Sequence, residues 1–157
     1  GSVMATVDSG TRGHLSITTG EDKILLRCDH DGFRNLAGVD FYAREIEVPL
    51  RGTIVTIRDS VEGAGCHHLQ SHWHLHPSIT ATLDGPRGVL LRALASGMPI
   101  ARVELPEEWS SVFLENYDWS PEYGSCAPSV RISLAGNITL PCELVTRFVL
   151  SAGGESQ

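Results

Sequence analysis

The sequence predicts an all-β chain folded as an antiparallel β-sandwich, and three observations carry that prediction. No window of a dozen residues keeps an apolar i, i+3, i+4, i+7 stripe free of glycine or proline, so no amphipathic helix is expected. Short runs of alternating or β-branched residues recur along the whole chain instead. Most of these runs end at Gly, Pro, Asn or Asp, the residues that turn a chain back on itself.

Taken in order, residues 23–28 read as a strand that stops at Asp29-His30-Asp31-Gly32. Residues 43–48 alternate and stop at Pro49, which has no N–H to extend a ladder. Residues 52–59 are rich in β-branched side chains, and Gly63-Ala64-Gly65 beyond them reads as a tight hairpin turn. The next strand runs over 66–76 and ends at Pro77. Residues 88–95, 100–105, 130–135 and 144–151 complete a set of at least eight short strands. The stretch 106–128 reads as a long ordered loop with one short strand at 111–114.

The chain has 157 residues, 41% hydrophobic and 20% charged, a composition that buries a core rather than staying disordered. Residues 13–152 are expected to form one domain, preceded by a leader with a Gly1-Ser2 tag remnant over 1–12 and followed by a frayed tail over 153–157. No aliphatic run is long enough for a membrane-spanning helix. A net charge of −7, from 19 acidic and 12 basic residues, argues against nucleic acid as a partner, because phosphate binding needs a basic face. The four cysteines are too widely spaced for a CxxC metal or redox motif.

The densest chemistry lies in Cys66-His67-His68-Leu69-Gln70-Ser71-His72-Trp73-His74-Leu75-His76, which holds five of the seven histidines. On a strand, alternate side chains share a face. Leu69, Trp73 and Leu75 then face the core, and His72, His74 and His76 lie together on the opposite side. Imidazoles at two-residue spacing are candidate ligands for zinc or another divalent metal. No further ligand follows them, and a polar sheet face is the competing account. Apart from that possible divalent metal, no cofactor is required.

Hydrolase signatures are missing: there is no GxSxG elbow, and Gly63-Ala64-Gly65 is too short to cradle phosphate. Trp109, Tyr117, Trp119 and Tyr123 are candidate sugar-stacking residues, since aromatic faces pack on the C–H faces of pyranose rings. The same rings would equally well staple a loop to the sheet.

The order of short motifs resembles the C-terminal β-sandwich of the heparinase II/III-like polysaccharide lyases. It runs from His30-Asp31-Gly32-Phe33 through Arg44 and Asp59-Ser60-Val61-Glu62-Gly63-Ala64-Gly65-Cys66-His67 to His74-Leu75-His76-Pro77, and closes on Trp119-Ser120-Pro121-Glu122-Tyr123-Gly124. The similarity spans about Gly13 to Leu150. It implies an α-helical toroid as partner domain, a larger sandwich of which this chain is a part, and β-elimination of an acidic polysaccharide by the parent. That reaction needs the uronate carboxylate neutralised, a base for the C5 proton and an acid for the leaving oxygen.

The family places those groups before the region matched here, so no catalytic residue is expected in this chain. Asp31, Gly32, Arg44, Asp59, Gly63, His67, His74, Leu75 and Tyr123 are expected to be turn and packing determinants. Tyr42 departs from the family's pattern, which often has histidine there. The resemblance also implies a periplasmic or secreted bacterial parent, and self-association of an isolated half through exposed edges. Two other readings stay open: a stand-alone carbohydrate-binding module using Trp109 to Tyr123, and a metal-dependent enzyme built on His72, His74 and His76.

Overall fold

A computed structural model describes residues 13–33 and 36–151; the expected leader over 1–12 and tail over 153–157 lie outside the described residues. The all-β, antiparallel class expected from the sequence is the class of the chain. Its nine strands among the described residues are β1 (Gly13–Thr19), β2 (Lys23–His30), β3 (Val39–Pro49), β4 (Ile54–His74), β5 (Ile79–Leu83), β6 (Gly88–Ala93), β7 (Pro99–Glu104), β8 (Ser111–Trp119) and β9 (Ala127–Leu150).

The residues group into two compact units. Among the described residues, the first comprises those up to His67 together with Ile138–Arg147, and the second comprises His68–Asn137 with those from Phe148 to Ser151. In the first unit, β1, β2, β3 and the early part of β4 form an antiparallel meander. Alternation decides which side is buried: Val39, Ala43, Ile57 and Val61 are core residues, joined by Ile138, Leu140 and Leu144 of β9. In the second unit, β9, β7, β6 and β5 follow one another, and β8 pairs with the start of β9. Its core is formed by Val89, Leu91, Ala101, Val103, Ile132 and Leu134, with Leu75, Leu105 and Trp109 around them.

Three expectations need correction. Gly63-Ala64-Gly65 is not a hairpin turn, because β4 continues through it as one strand of 21 residues. The glycines serve a close approach instead. A β-bulge lies opposite, between Val39 and Phe41 of β3, and Gly63 has φ of 147°. A Cβ at Gly63 would overlap the Gly38 carbonyl, the same oxygen that accepts a 2.9 Å bond from the Ala64 N–H. The predicted strands 130–135 and 144–151 fall on one strand, β9, which ends at Leu150 and runs 24 residues through Pro141 with a cis Leu140–Pro141 bond. Finally, β8 extends five residues past the predicted 111–114.

Candidate functional site

Residues of the second unit bring the histidine-rich strand and the aromatic residues together. Along β4 and just beyond it, Leu69, Ser71 and Trp73 are half-buried and Leu75 is buried, whereas His68, Gln70, His72, His74 and His76 are exposed. The apolar side chains fix this parity. Trp73 meets Phe148 edge-on with ring centroids 5.5 Å apart, and removing Trp73 and Leu75 from water drives the alternate imidazoles outward.

The neighbouring strand β9 obeys the same logic. Ile132 and Leu134 are 0% and 1% exposed on its inner side, so Arg131 and Ser133 fall on the other. The Leu75 N–H donates to the Val130 carbonyl at 3.1 Å and ties the end of β4 to β9. On the far side of β9, β8 sets Phe113 opposite Ser133, Glu115 opposite Arg131, Tyr117 opposite Ser129 and Trp119 opposite Ala127.

Small residues on the middle strand let the rings of its two neighbours meet above it. His74 and Tyr117 contact edge-to-face with centroids 4.8 Å apart, and His76 and Trp119 do the same at 5.0 Å. Ala127 and Ser129 leave the room for both pairs. The Tyr117 hydroxyl donates to the Leu75 carbonyl at 2.5 Å, and Ser129 donates to the same oxygen at 2.7 Å.

Next to the ring pairs lies a polar chain. Ser133 donates its hydroxyl proton to Glu115 Oε2 in a short hydrogen bond, and Arg131 Nε donates to the same oxygen at 2.9 Å. These two donors, Ser133 first and Arg131 second, hold the Glu115 carboxyl below the usual carboxylate range. His72 Nδ1 lies 3.0 Å from Ser133 Oγ. Further along, His68 Nδ1 lies 3.2 Å from Asn137 Oδ1.

The aromatic candidates therefore separate. Tyr117 and Trp119 share this face with the histidines, while Tyr123 stands fully exposed in the turn between β8 and β9. Trp109 is 7% exposed and packed in the core beside Gly136, so its ring offers no face to a sugar. The metal expectation also meets a geometric obstacle. Among the described residues, no group of three or more His, Cys, Asp or Glu side chains is placed to hold a metal ion. His72 and His74 have ring centroids 6.4 Å apart, and the δ-nitrogens of His72 and His76 are engaged by Ser133 and Ser78. The spacing of the residues alone does not connect the two groups, because Tyr117 and Trp119 fall in the stretch 106–128 that reads as a loop. The alternation of Phe113, Glu115, Tyr117 and Trp119 with smaller polar residues was the available signal.

A second constellation sits in the first unit. Asp59, 7% exposed, accepts from Tyr42 Oη and Arg44 Nε at Oδ1, both at 2.6 Å, and from Arg44 Nη2 at Oδ2, at 2.9 Å. Tyr42 and Phe33 pack against the His30 ring with centroids 5.2 and 5.1 Å away. His67 Nε2 reaches the Ala64 carbonyl at 2.9 Å. Arg44, Asp59, Gly63 and His67 of the motif series thus all stand at joints of the fold.

The profile of the family described as "Heparinase II/III-like, C-terminal" matches residues 3–153. The chain belongs to that heparinase II/III-like family. Among solved structures, the fold is similar to that of heparan sulfate lyase HepC from Pedobacter heparinus, with a TM-score of 0.72 at 14% identity over 96% of this chain. A mutant of the same lyase matches with a TM-score of 0.67 at 12% identity, again over 96% of the chain. The heparinase II/III-like chain spans only 23% of the length of either structure. The comparison with curated proteins found no match.

Proposed function

We propose that the chain is the non-catalytic C-terminal β portion of a heparinase II/III-like polysaccharide lyase, which scaffolds an α-helical toroid and lines the substrate cleft. The observation that carries this reading is the proportion of the match. Nearly all of this chain aligns, yet it corresponds to 23% of a heparan sulfate lyase. The parent reaction would break the C4–O bond of a uronate-containing polysaccharide by removal of the C5 proton, leaving a C4=C5 double bond on the new end. Asp59, Arg44 and Glu115 are engaged in bonds within the fold, which fits a supporting role.

The test is formation of unsaturated uronate product, followed by its absorbance. The 157-residue chain alone is expected to give none from heparan sulfate or other uronate polysaccharides, and the parent protein is expected to lose activity when this region is deleted. Turnover by the chain alone, or full activity of the deleted parent, overturns the reading.

A second reading, a stand-alone carbohydrate-binding module, draws support from the half-buried Tyr117 and Trp119 on an outward sheet face. A natural polypeptide of about the chain's own 17.0 kDa would favour it over the lyase portion.

A further inference from the structure

The outward face of β4, β9 and β8 in the second unit carries imidazoles whose hydrogen-bonding polarity is fixed by their neighbours. Ser133 gives its only proton to Glu115, so its oxygen must accept from His72 Nδ1–H. The outward Nε2 of a neutral His72 is then an acceptor. His76 is the reverse: its Nδ1 accepts from the Ser78 N–H at 3.2 Å, with the Ser78 hydroxyl 2.7 Å away. Its Nε2 therefore carries the proton and is a donor. Four residues apart on one exposed face, the protein thus offers one acceptor and one donor.

Between and beside them stand aromatic surfaces already locked in place. Tyr117 and Trp119 are two positions apart on β8, roughly 7 Å along the strand, a spacing on the scale of a sugar unit. Each is braced by an imidazole, and Tyr117 is tied by its hydroxyl to the Leu75 carbonyl, so a ligand would order little on arrival. The charge on the face also differs from that of the chain. The chain carries −7, but Glu115, the acidic group of this cluster, is already bonded by Ser133 and paired with Arg131. Arg131 uses Nε for that bond, and no hydrogen bond to another described residue engages its Nη groups, which can meet a further anion.

We propose that this face is a binding site for a segment of acidic saccharide, with Tyr117 and Trp119 as the ring platform, His72 and His76 as acceptor and donor for hydroxyls, and Arg131 directed at an acid group. The acidic character of the ligand rests on the lyase reading above; the site itself rests on the face.

The deciding experiment titrates the 157-residue chain with a uronate-containing hexasaccharide and, in parallel, a neutral hexasaccharide, by calorimetry and by shifts of the Trp and imidazole resonances. Saturable binding of the acidic sugar is expected, with shifts at Trp119, His72 and His76. Trp119→Ala should weaken it about tenfold and His72→Ala roughly fivefold, whereas Trp119→Phe, which keeps a ring, should stay within about threefold. Imidazole nitrogen shifts of the free protein should report the Nδ1–H form for His72 and the Nε2–H form for His76, which also shows that the face is folded. Absence of binding, or binding indifferent to Trp119→Ala, overturns the site even if deletion of this region abolishes lyase activity in the parent. Equal binding of the neutral hexasaccharide overturns the acidic specificity, and with it the link to the lyase reading.

Discussion

Asp59 receives two hydrogen bonds on one oxygen, from the Tyr42 hydroxyl and from Arg44 Nε, each 2.6 Å long. The three residues occupy adjoining strands, with Arg44 of β3 directly opposite Asp59 of β4. The pair is well formed but only partly withdrawn from water, with side-chain exposures of 28% for Arg44 and 10% for Asp59.

Removing one member should therefore cost more than removing a surface ion pair. Asp59→Ala removes the acceptor of three hydrogen bonds, one from Tyr42 and two from Arg44, and a loss of about 3 kcal/mol is expected. Tyr42→Phe removes one neutral donor and should cost about 1 kcal/mol. Urea unfolding of the two variants checks both values. Equal and negligible effects would mean that the network contributes nothing to stability.

The same network sets a pH dependence on the alkaline side. Burial first, and then the hydrogen bond to Asp59 and its charge, raise the Tyr42 phenol well above the ordinary tyrosine value of about 10. A raised acid binds its proton more tightly in the folded state, so its contribution is complete below the ordinary value and is lost as pH climbs above it. Stability of the wild type should fall more steeply above about pH 10 than that of Tyr42→Phe. Parallel curves for the two proteins would contradict the assignment.

Glu115 gives the opposite sign on the acid side. Its folded carboxyl is held below the usual range, so its contribution exists above the ordinary glutamate value and disappears as pH falls. Ser133→Ala removes the leading donor and should move the Glu115 titration upward. Carbon shifts of the Glu115 carboxyl followed against pH measure it directly, and an unmoved titration would show that Ser133 does not hold the carboxylate.

Backbone geometry makes a third kind of prediction. Gly63→Ala combines an unfavourable φ of 147° with an overlap on the Gly38 carbonyl, and should cost about 2 kcal/mol or more. Gly97→Ala is a fair comparison. It also has positive φ, at 70°, but nothing stands within 4 Å of the added Cβ, so a loss of about 1 kcal/mol is expected.

The facing of β8 and β9 can be checked by truncation. Ile132 is 0% exposed and Ile132→Ala should cost about 3 kcal/mol, whereas Phe113, 42% exposed on the opposite side, should cost about 1 kcal/mol as Phe113→Ala. A reversal of the two values would mean that the strands present their other side to the core.

Strand content was legible because alternation is a local property. The parity of 68–76 followed from Leu69, Trp73 and Leu75 alone, and His72, His74 and His76 are exposed as that parity requires. Strand length was less legible. Glycine at 63 and 65 and proline at 141 carry the chemistry of turns, and only the partner strand reveals that Gly63 admits the Gly38 carbonyl rather than reversing the chain. The candidate site was hidden for a similar reason. The contact of His74 with Tyr117 depends on which strand lies between them and on Ser129 being small, and neither is written in the spacing of the residues themselves. The burial of Trp109 was not legible, because an aromatic in a turn-rich stretch reads the same whether it points in or out.

The threading of β4 and β9 through both units has a consequence for inheritance. The chain crosses from one unit to the other after His67, after Asn137 and after Arg147, so neither unit is a contiguous stretch of sequence. A gene fusion or deletion with a single breakpoint cannot transfer one unit and leave the other intact. Any recombination event that moves this module between proteins must carry residues of both units together.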